Sequence, residues 1–184
     1  MHDMSFVGRS FDQICFVVED LDAAIEAWRR DYGITAWSVW EGLSVGQTEK
    51  TYWGEPGEFE YSVAYGFAGD IMIELARHDS GTNLYKDWLD ERGVGPHHIG
   101  FRVKDAAEYA AAEEAYVARG IPKAMSGFVE GSGVGRGSCR WGYFDTRGTL
   151  GCYTEIYYLD PELLVSMERM KRGEVFASPP FSKA

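Results

Sequence analysis

The sequence predicts an α+β fold of two tandem βαβββ modules whose eight strands form one curved sheet. Three observations carry that prediction. A motif occurs twice, as Phe11-Asp12-Gln13-Ile14-Cys15-Phe16-Val17-Val18-Glu19-Asp20 and as Pro96-His97-His98-Ile99-Gly100-Phe101-Arg102-Val103-Lys104-Asp105. In both copies a side chain able to ligate metal precedes Ile, and an Asp closes the run at the same spacing, Gln13 to Asp20 and His98 to Asp105. A second repeated pair, Ile71-Met72-Ile73-Glu74-Leu75 and Cys152-Tyr153-Thr154-Glu155-Ile156, reads as the last strand of each module, with Asp79 and Asp160 equally far beyond the Glu. The strand and helix periodicities also follow one another in the same order in both copies.

The elements follow in turn. Residues 11–18 alternate as a strand, and Leu21, Ala24, Ile25 and Trp28 then recur at helical spacing, with Asp20 or Asp22 as N-cap and Gly33 as the stop. Residues 35–40 read as a second strand, 41–58 as a long Gly- and Glu-rich loop, and 60–67 and 70–76 as two strands joined at Ala68-Gly69. The second copy repeats this with strand 97–103, helix 106–119, and strands near 123–129, 138–145 and 150–159, the last hairpin turning at Asp145-Thr146-Arg147-Gly148. The chain is thus one domain: module 1 over about 10–79, a linking helix within 80–95, module 2 over about 96–160, and a C-terminal helix and mobile tail over 161–184.

Composition narrows the function. With 184 residues, 45% of them apolar, and no run of about 18 apolar residues, a membrane span is not expected, and residues 1–10 lack the apolar core of a secretory signal, so a cytoplasmic location is expected. A net charge of −11 repels a phosphate backbone and argues against nucleic acid as a partner. Cys15, Cys139 and Cys152 lack a CxxC spacing and read as reduced thiols. The glycine run 131–137 lacks the GxGxxG spacing and opens no helix, which argues against a dinucleotide site; it reads as a hairpin loop rather than a lid bringing Arg136 or Arg140 to an anion.

The repeat also assembles chemistry. Strand side chains alternate between faces, so a ligand at the start of each first strand and a Glu in each last strand share the inner face. Pairing of the modules about a pseudo-twofold axis would bring Gln13, Glu74, His98 and Glu155 to one divalent ion per chain, a set that suits Zn, Ni, Co, Mn or Fe. Glu74 and Glu155 sit among apolar residues, where an unpaired carboxylate is costly. The repeat register selects His98 over His97, which reads as a structural or rim residue. A divalent ion would stabilise negative charge on a substrate oxygen, so proton transfer beside a carbonyl is the expected reaction, with Glu155 as first choice of base and Glu74 as second.

At these residues the chain resembles the vicinal oxygen chelate superfamily, which includes glyoxalase I, methylmalonyl-CoA epimerase, extradiol dioxygenases and bleomycin-resistance proteins. The similarity spans about residues 10–160 and is most specific from Ile73-Glu74-Leu75 through Gly93-Val94-Gly95-Pro96-His97-His98-Ile99. The resemblance implies a U-shaped, partly open eight-stranded sheet around a metal cleft, a homodimer, and an isomerase, epimerase or lyase acting on a small-molecule carbonyl compound. The chain also departs from the epimerase pattern. Gln13 stands where those enzymes usually carry His, and Val63 where a second carboxylate is expected, unless Glu58 or Glu60 substitutes. An extradiol dioxygenase would need a second imidazole. Trp37, Trp40, Trp53, Tyr61, Tyr65, Trp141, Tyr143 and Tyr153 lie on or beside predicted strands and the long loop; some should line the cleft and favour an apolar or aromatic substrate. The rival reading is a metal-free protein that sequesters such a compound.

Overall fold

The computed structural model describes residues 3–129 and 137–176. β1 (Phe11–Val17) leads to α1 (Leu21–Tyr32), followed by β2 (Ser38–Trp40), β3 (Gln47–Tyr52), β4 (Glu55–Pro56), β5 (Phe59–Ala68) and β6 (Ile71–Gly81). After α2 (Leu84–Arg92) come β7 (Gly95–Arg102), α3 (Ala106–Ala118), β8 (Lys123–Val129), β9 (Cys139–Phe144), the single turn α4 (Arg147–Leu150), β10 (Tyr153–Leu159) and α5 (Pro161–Lys171). All the strands join one mixed sheet in the order β2-β5-β6-β1-β7-β10-β9-β8-β3-β4, curled into a half-barrel.

The sheet has ten strands rather than the expected eight, because the long loop after β2 contains two of them. β3 crosses to the far edge and pairs with β8, tying the early chain to the second half of the sheet. Its sequence, Gln-Thr-Glu-Lys-Thr-Tyr, is polar enough to read as loop, yet charge is tolerated near a sheet edge. Trp53 and Gly54 then turn the chain into β4, both with positive φ (49° and 87°), as a two-residue hairpin turn requires. Three other boundaries shift. β2 is confined to Ser38–Trp40, the linking helix starts at Leu84 because β6 runs on to Gly81, and the expected turn at Asp145–Gly148 gives way to α4. The glycine-rich loop at 130–136 and the tail from 177 lie outside the described residues.

The closing Asp of each motif caps a helix. The Asp20 side chain accepts from the Ala23 amide, and that of Asp105 from the amides of Ala107 and Glu108. α1 packs Leu21 and Ile25 on Ile73 and Leu75, and α3 packs Tyr109 and Ala112 on Phe144 and Ile156, so both cover the outer face. The inner face carries Cys15, Val63, Trp141, Tyr143 and Tyr157, against which α2 sets Leu84, Tyr85 and Trp88. α5 adds Leu163, Leu164 and Met167 to that inner cluster.

Candidate metal centre

Strand register brings the repeated residues together. Across the antiparallel β1–β7 pair, Gln13 faces Gly100 and Cys15 faces His98. In the parallel pairs that flank it, Cys15 lies beside Glu74 and Gly100 beside Glu155. Exchanging the halves maps each of these pairings onto the other, which is the pseudo-twofold relation the motif spacing implies. Gly100 is needed here, because a Cβ at that position would lie 2.8 Å from the Cβ of Gln13.

Gln13, Glu74, His98 and Glu155, all buried, converge at the centre of the sheet. Gln13 Nε2 donates to Glu74 Oε2 at 2.5 Å and to Glu155 Oε2 at 2.9 Å, and lies 3.0 Å from His98 Nε2. His98 Nε2 is 3.2 Å from Glu74 Oε2 and 3.3 Å from Glu155 Oε2. Glu74, His98 and Glu155 each offer one ligand atom, all mutually within 4.8 Å, a group that could hold a metal ion. Gln13 would join it by turning its amide over, so that oxygen rather than nitrogen faces the carboxylates.

Electrostatics make the group a store for positive charge. Burial raises the Glu155 pKa above its ordinary 4.5. At His98 burial opposes the imidazolium, but Cys15 and hydrogen bonds to Glu155 and Glu74 outweigh it and hold the pKa well above its ordinary value. Burial pushes the Cys15 thiol up to about 12. Two carboxylates at 3% and 6% exposure have Gln13 and His98 as their partners, and neither is a permanent cation. The donor set therefore fits a divalent ion, which would offset both charges at once.

A cavity of about 130 Å³ opens on this group, with Gln13, Glu74 and Glu155 in its wall. Of the aromatics expected at the cleft, Trp40, Tyr61, Tyr65, Trp141 and Tyr143 line it, whereas Trp37 packs in the outer core and Trp53 and Tyr153 stand elsewhere. Glu58 and Glu60 do not line it, and Val63 is buried in the inner cluster. Arg140 pairs instead with Glu49 at 2.8 Å and lies over Phe128. The three cysteines are free.

Two features escaped the sequence reading. α5 reaches the cavity with Leu163, Ser166, Met167 and Met170; its apolar residues gave the helix away but not the surface it covers. His97, expected to be structural or at the rim, is fully buried, with its Nδ1 2.9 Å from His98 Nδ1. Burial and the neighbouring His98 push its pKa well below the ordinary value.

The profile of the Glyoxalase/Bleomycin resistance protein/Dioxygenase superfamily matches residues 12–139. The chain belongs to this superfamily. Several solved structures are similar to it in fold. Methylmalonyl-CoA epimerase from Mycobacterium tuberculosis is 19% identical with a TM-score of 0.58, over 90% of this chain and 97% of that one. A Streptomyces coelicolor methylmalonyl-CoA epimerase variant in complex with 2-nitronate-propionyl-CoA is 19% identical with a TM-score of 0.55, over 81% and 96% of the two chains. A hypothetical protein of Bacillus halodurans C-125 is 16% identical with a TM-score of 0.54, over 80% and 92%. Comparison with curated protein sequences yields no match. The superfamily match ends at Cys139, so Glu155 and the α5 residues at the cavity fall beyond it.

Proposed function

We propose that this glyoxalase-superfamily protein is a divalent-metal-dependent isomerase, epimerase or lyase that moves a proton beside the carbonyl of an apolar or aromatic small molecule, through an enolate-like intermediate. The observation that carries the reading is the convergence of two buried carboxylates on one imidazole and one amide, with Gln13 and His98 as their partners. Gln13, Glu74, His98 and Glu155 would hold the ion, whose contribution when bound is to stabilise negative charge on the substrate oxygen. Glu155 is the proposed base and Glu74 the second choice. Burial raises the affinity of Glu155 for a proton, and its side chain lies in the cavity wall, where it would take a proton from the carbon next to the carbonyl and return it. Tyr65 and Tyr143, the cross-strand neighbours of Glu74 and Glu155, would flank the substrate.

Val63 leaves the expected second carboxylate position apolar, which weighs against methylmalonyl-CoA as substrate and toward transfer on a single face. Leu43, Met72, Met167 and Trp141 offer apolar contact. We further propose one domain of two modules, a homodimer on the strength of the resemblance, and a cytoplasmic setting in which the free thiols stay reduced. Elemental mass spectrometry of tag-free protein tests the ion: about one divalent metal per chain is expected, lost in His98→Ala. Exchange of solvent deuterium into carbonyl compounds tests the chemistry, and full turnover by Glu155→Gln would sink it.

One observation favours the second reading, a metal-free binding protein. Gln13 presents its amide nitrogen to both carboxylates, satisfying them without an ion. Protein that stays metal-free after incubation with Zn, Ni, Co, Mn and Fe(II), yet binds aromatic compounds, would establish it. An extradiol dioxygenase is the weaker alternative, because among the described residues His98 is the one imidazole that faces the carboxylates; oxygen uptake with catechols tests it.

A further inference from the structure

Alternation along β7 would send His97 to the outer face, opposite His98, yet its ring lies among inner-face aromatics: Tyr85 and Trp88 of α2, and Tyr143 and Tyr153 of the sheet, with ring centres 5.0–5.7 Å away. The cause is a β-bulge. In the β1–β7 register Cys15 faces His98 and Phe16 faces Pro96, so His97 is the extra residue and is re-aimed beside its neighbour. The same register slips between Phe11 and Gln13, which makes Asp12 the extra residue of the first half. Each half therefore bulges immediately before its proposed ligand.

We propose that His97 is a positioning residue that accepts a hydrogen bond from His98 Nδ1–H, so that His98 keeps Nε2 turned to the two carboxylates and to any ion they hold. The 2.9 Å separation of the two Nδ1 atoms requires one donor and one acceptor. If His98 Nε2 gives its lone pair to a metal, the ring hydrogen must sit on Nδ1; if His98 is an imidazolium, Nδ1 carries a hydrogen as well. In these two states His98 donates, so His97 Nδ1 accepts and its own hydrogen sits on Nε2; the remaining state, a neutral His98 with its hydrogen on Nε2 toward the carboxylates, would reverse the bond and is the one excluded by the proposal. His97 Nε2 is buried among aromatic rings with no partner in strict hydrogen-bond geometry, and the Leu84 backbone interacts favourably with a ring hydrogen of His97, so the close contact of the pair is the one between the two Nδ1 atoms. Metal-ligating histidines commonly give the second N–H to a carboxylate or carbonyl. Here a neutral imidazole takes that place and adds no charge beside two buried carboxylates. Cys15, His97 and His98 also form a compact group of possible ligand atoms, but the 2.9 Å N···N distance between the two imidazoles is that of a hydrogen bond, and Cys15 is itself hydrogen-bonded to His98.

The metal arm of the test rests on the function proposed above, whereas the NMR arm does not. Nitrogen-15 spectra of the imidazoles, recorded with and without Co(II) or Zn(II), should show His97 as the Nε2–H tautomer with an acceptor-type Nδ1 in both states. His97 found as the Nδ1–H tautomer would overturn the inference, whether or not the protein takes up metal. In metal titrations of folded protein, His97→Leu should lose about 10–100-fold in Zn(II) affinity. His97→Asn, whose Oδ1 takes the place of Nδ1, should recover most of it. Wild-type affinity in His97→Leu, or no recovery in folded His97→Asn, would contradict the proposal. So would a second Co(II) per chain with a thiolate charge-transfer band removed by Cys15→Ser, since that would make the group a metal site. Protein that takes up no metal at all fails the function proposed above and leaves the decision to the tautomer.

Discussion

The two halves share a backbone plan and differ in what they hang on it. Both place a ligand candidate across from the residue two places beyond the other's, both set a Glu beside that residue, and both bulge one position before the candidate. The first half then supplies an amide, Gln13, while its bulge residue Asp12 turns away to Arg102 and Tyr157, at 2.8 and 2.7 Å. The second supplies an imidazole, His98, with a second imidazole, His97, against its far nitrogen. A duplicated fold has thus kept its geometry while its donors diverged. The second half holds the stronger donor and its support, and the first half holds an adaptable amide that fits with or without an ion.

The largest expected effect comes from breaking the stronger half. His98→Ala should lower Co(II) affinity by more than about 100-fold, beyond the usual cost of an outer partner. Gln13→Ala should cost about 10-fold, and Gln13→His, which makes the halves alike, should tighten binding. Calorimetric titration of the three variants checks the order. Equal losses in both alanine variants would remove the asymmetry between the halves.

The second test uses pH. His98 and Glu155, both of the second half, bind protons more tightly in the folded chain than in the unfolded one. Unfolding therefore releases protons from these two groups; His97, whose folded pKa is depressed, opposes them below pH 6.5, so metal-free protein should lose stability as pH rises above 6.5 through the folded values of His98 and Glu155. A bound ion holds both groups deprotonated and reverses the slope, so loaded protein should lose stability as pH falls. Urea unfolding midpoints from pH 6.5 to 8, with and without Zn(II), would show two curves of opposite slope; parallel curves would contradict the assignment.

A smaller effect separates the two residues that face the ligands. Gly100→Ala forces a Cβ against Gln13 and should destabilise by about 1–3 kcal/mol. Cys15→Ala at the corresponding place in the first half deletes one buried atom and should cost about 1 kcal/mol. Denaturant unfolding measures both.

What the sequence disclosed and what it hid follow from the same physics. Period-2 alternation, the Asp caps and the spacing of Glu74 and Glu155 are local, so the modules and the meeting of Gln13, Glu74, His98 and Glu155 were legible. β3 was hidden because its pairing with β8 is non-local and its edge position tolerates Glu49 and Lys50. His97 was hidden because a bulge breaks the alternation that assigns a face, and nothing in Pro96-His97-His98 announces it. Reading both copies together offers one clue: Asp12 and His97 are polar at the same offset before the ligand, where a core-facing or outer-core position would favour an apolar residue. The roof over the cavity was hidden for a third reason. The helical spacing of Leu163, Met167 and Met170 shows an apolar face, but its target is set by where β10 ends.

The smallest expected effect lies in the helix caps, where the halves resemble each other most. Asp20 accepts one amide hydrogen bond at the start of α1, and Asp105 accepts two at the start of α3. Both helices cover the outer face, so neither cap touches the candidate centre, and removing either should leave metal affinity as it is. Asp20→Ala and Asp105→Ala should each lower Tm by about 2–4 °C. The larger drop is expected for Asp105, because its loss leaves two amides at the helix start without their acceptor. Melting curves with and without Zn(II) decide it. An equal metal-induced rise in Tm in both variants would separate the stability of the outer layer from binding at the centre. A rise that vanished in Asp105→Ala alone would instead mean that the second half transmits strain from α3 through β7 to His98, a coupling that the first half, with Gln13 at the corresponding position, would not share.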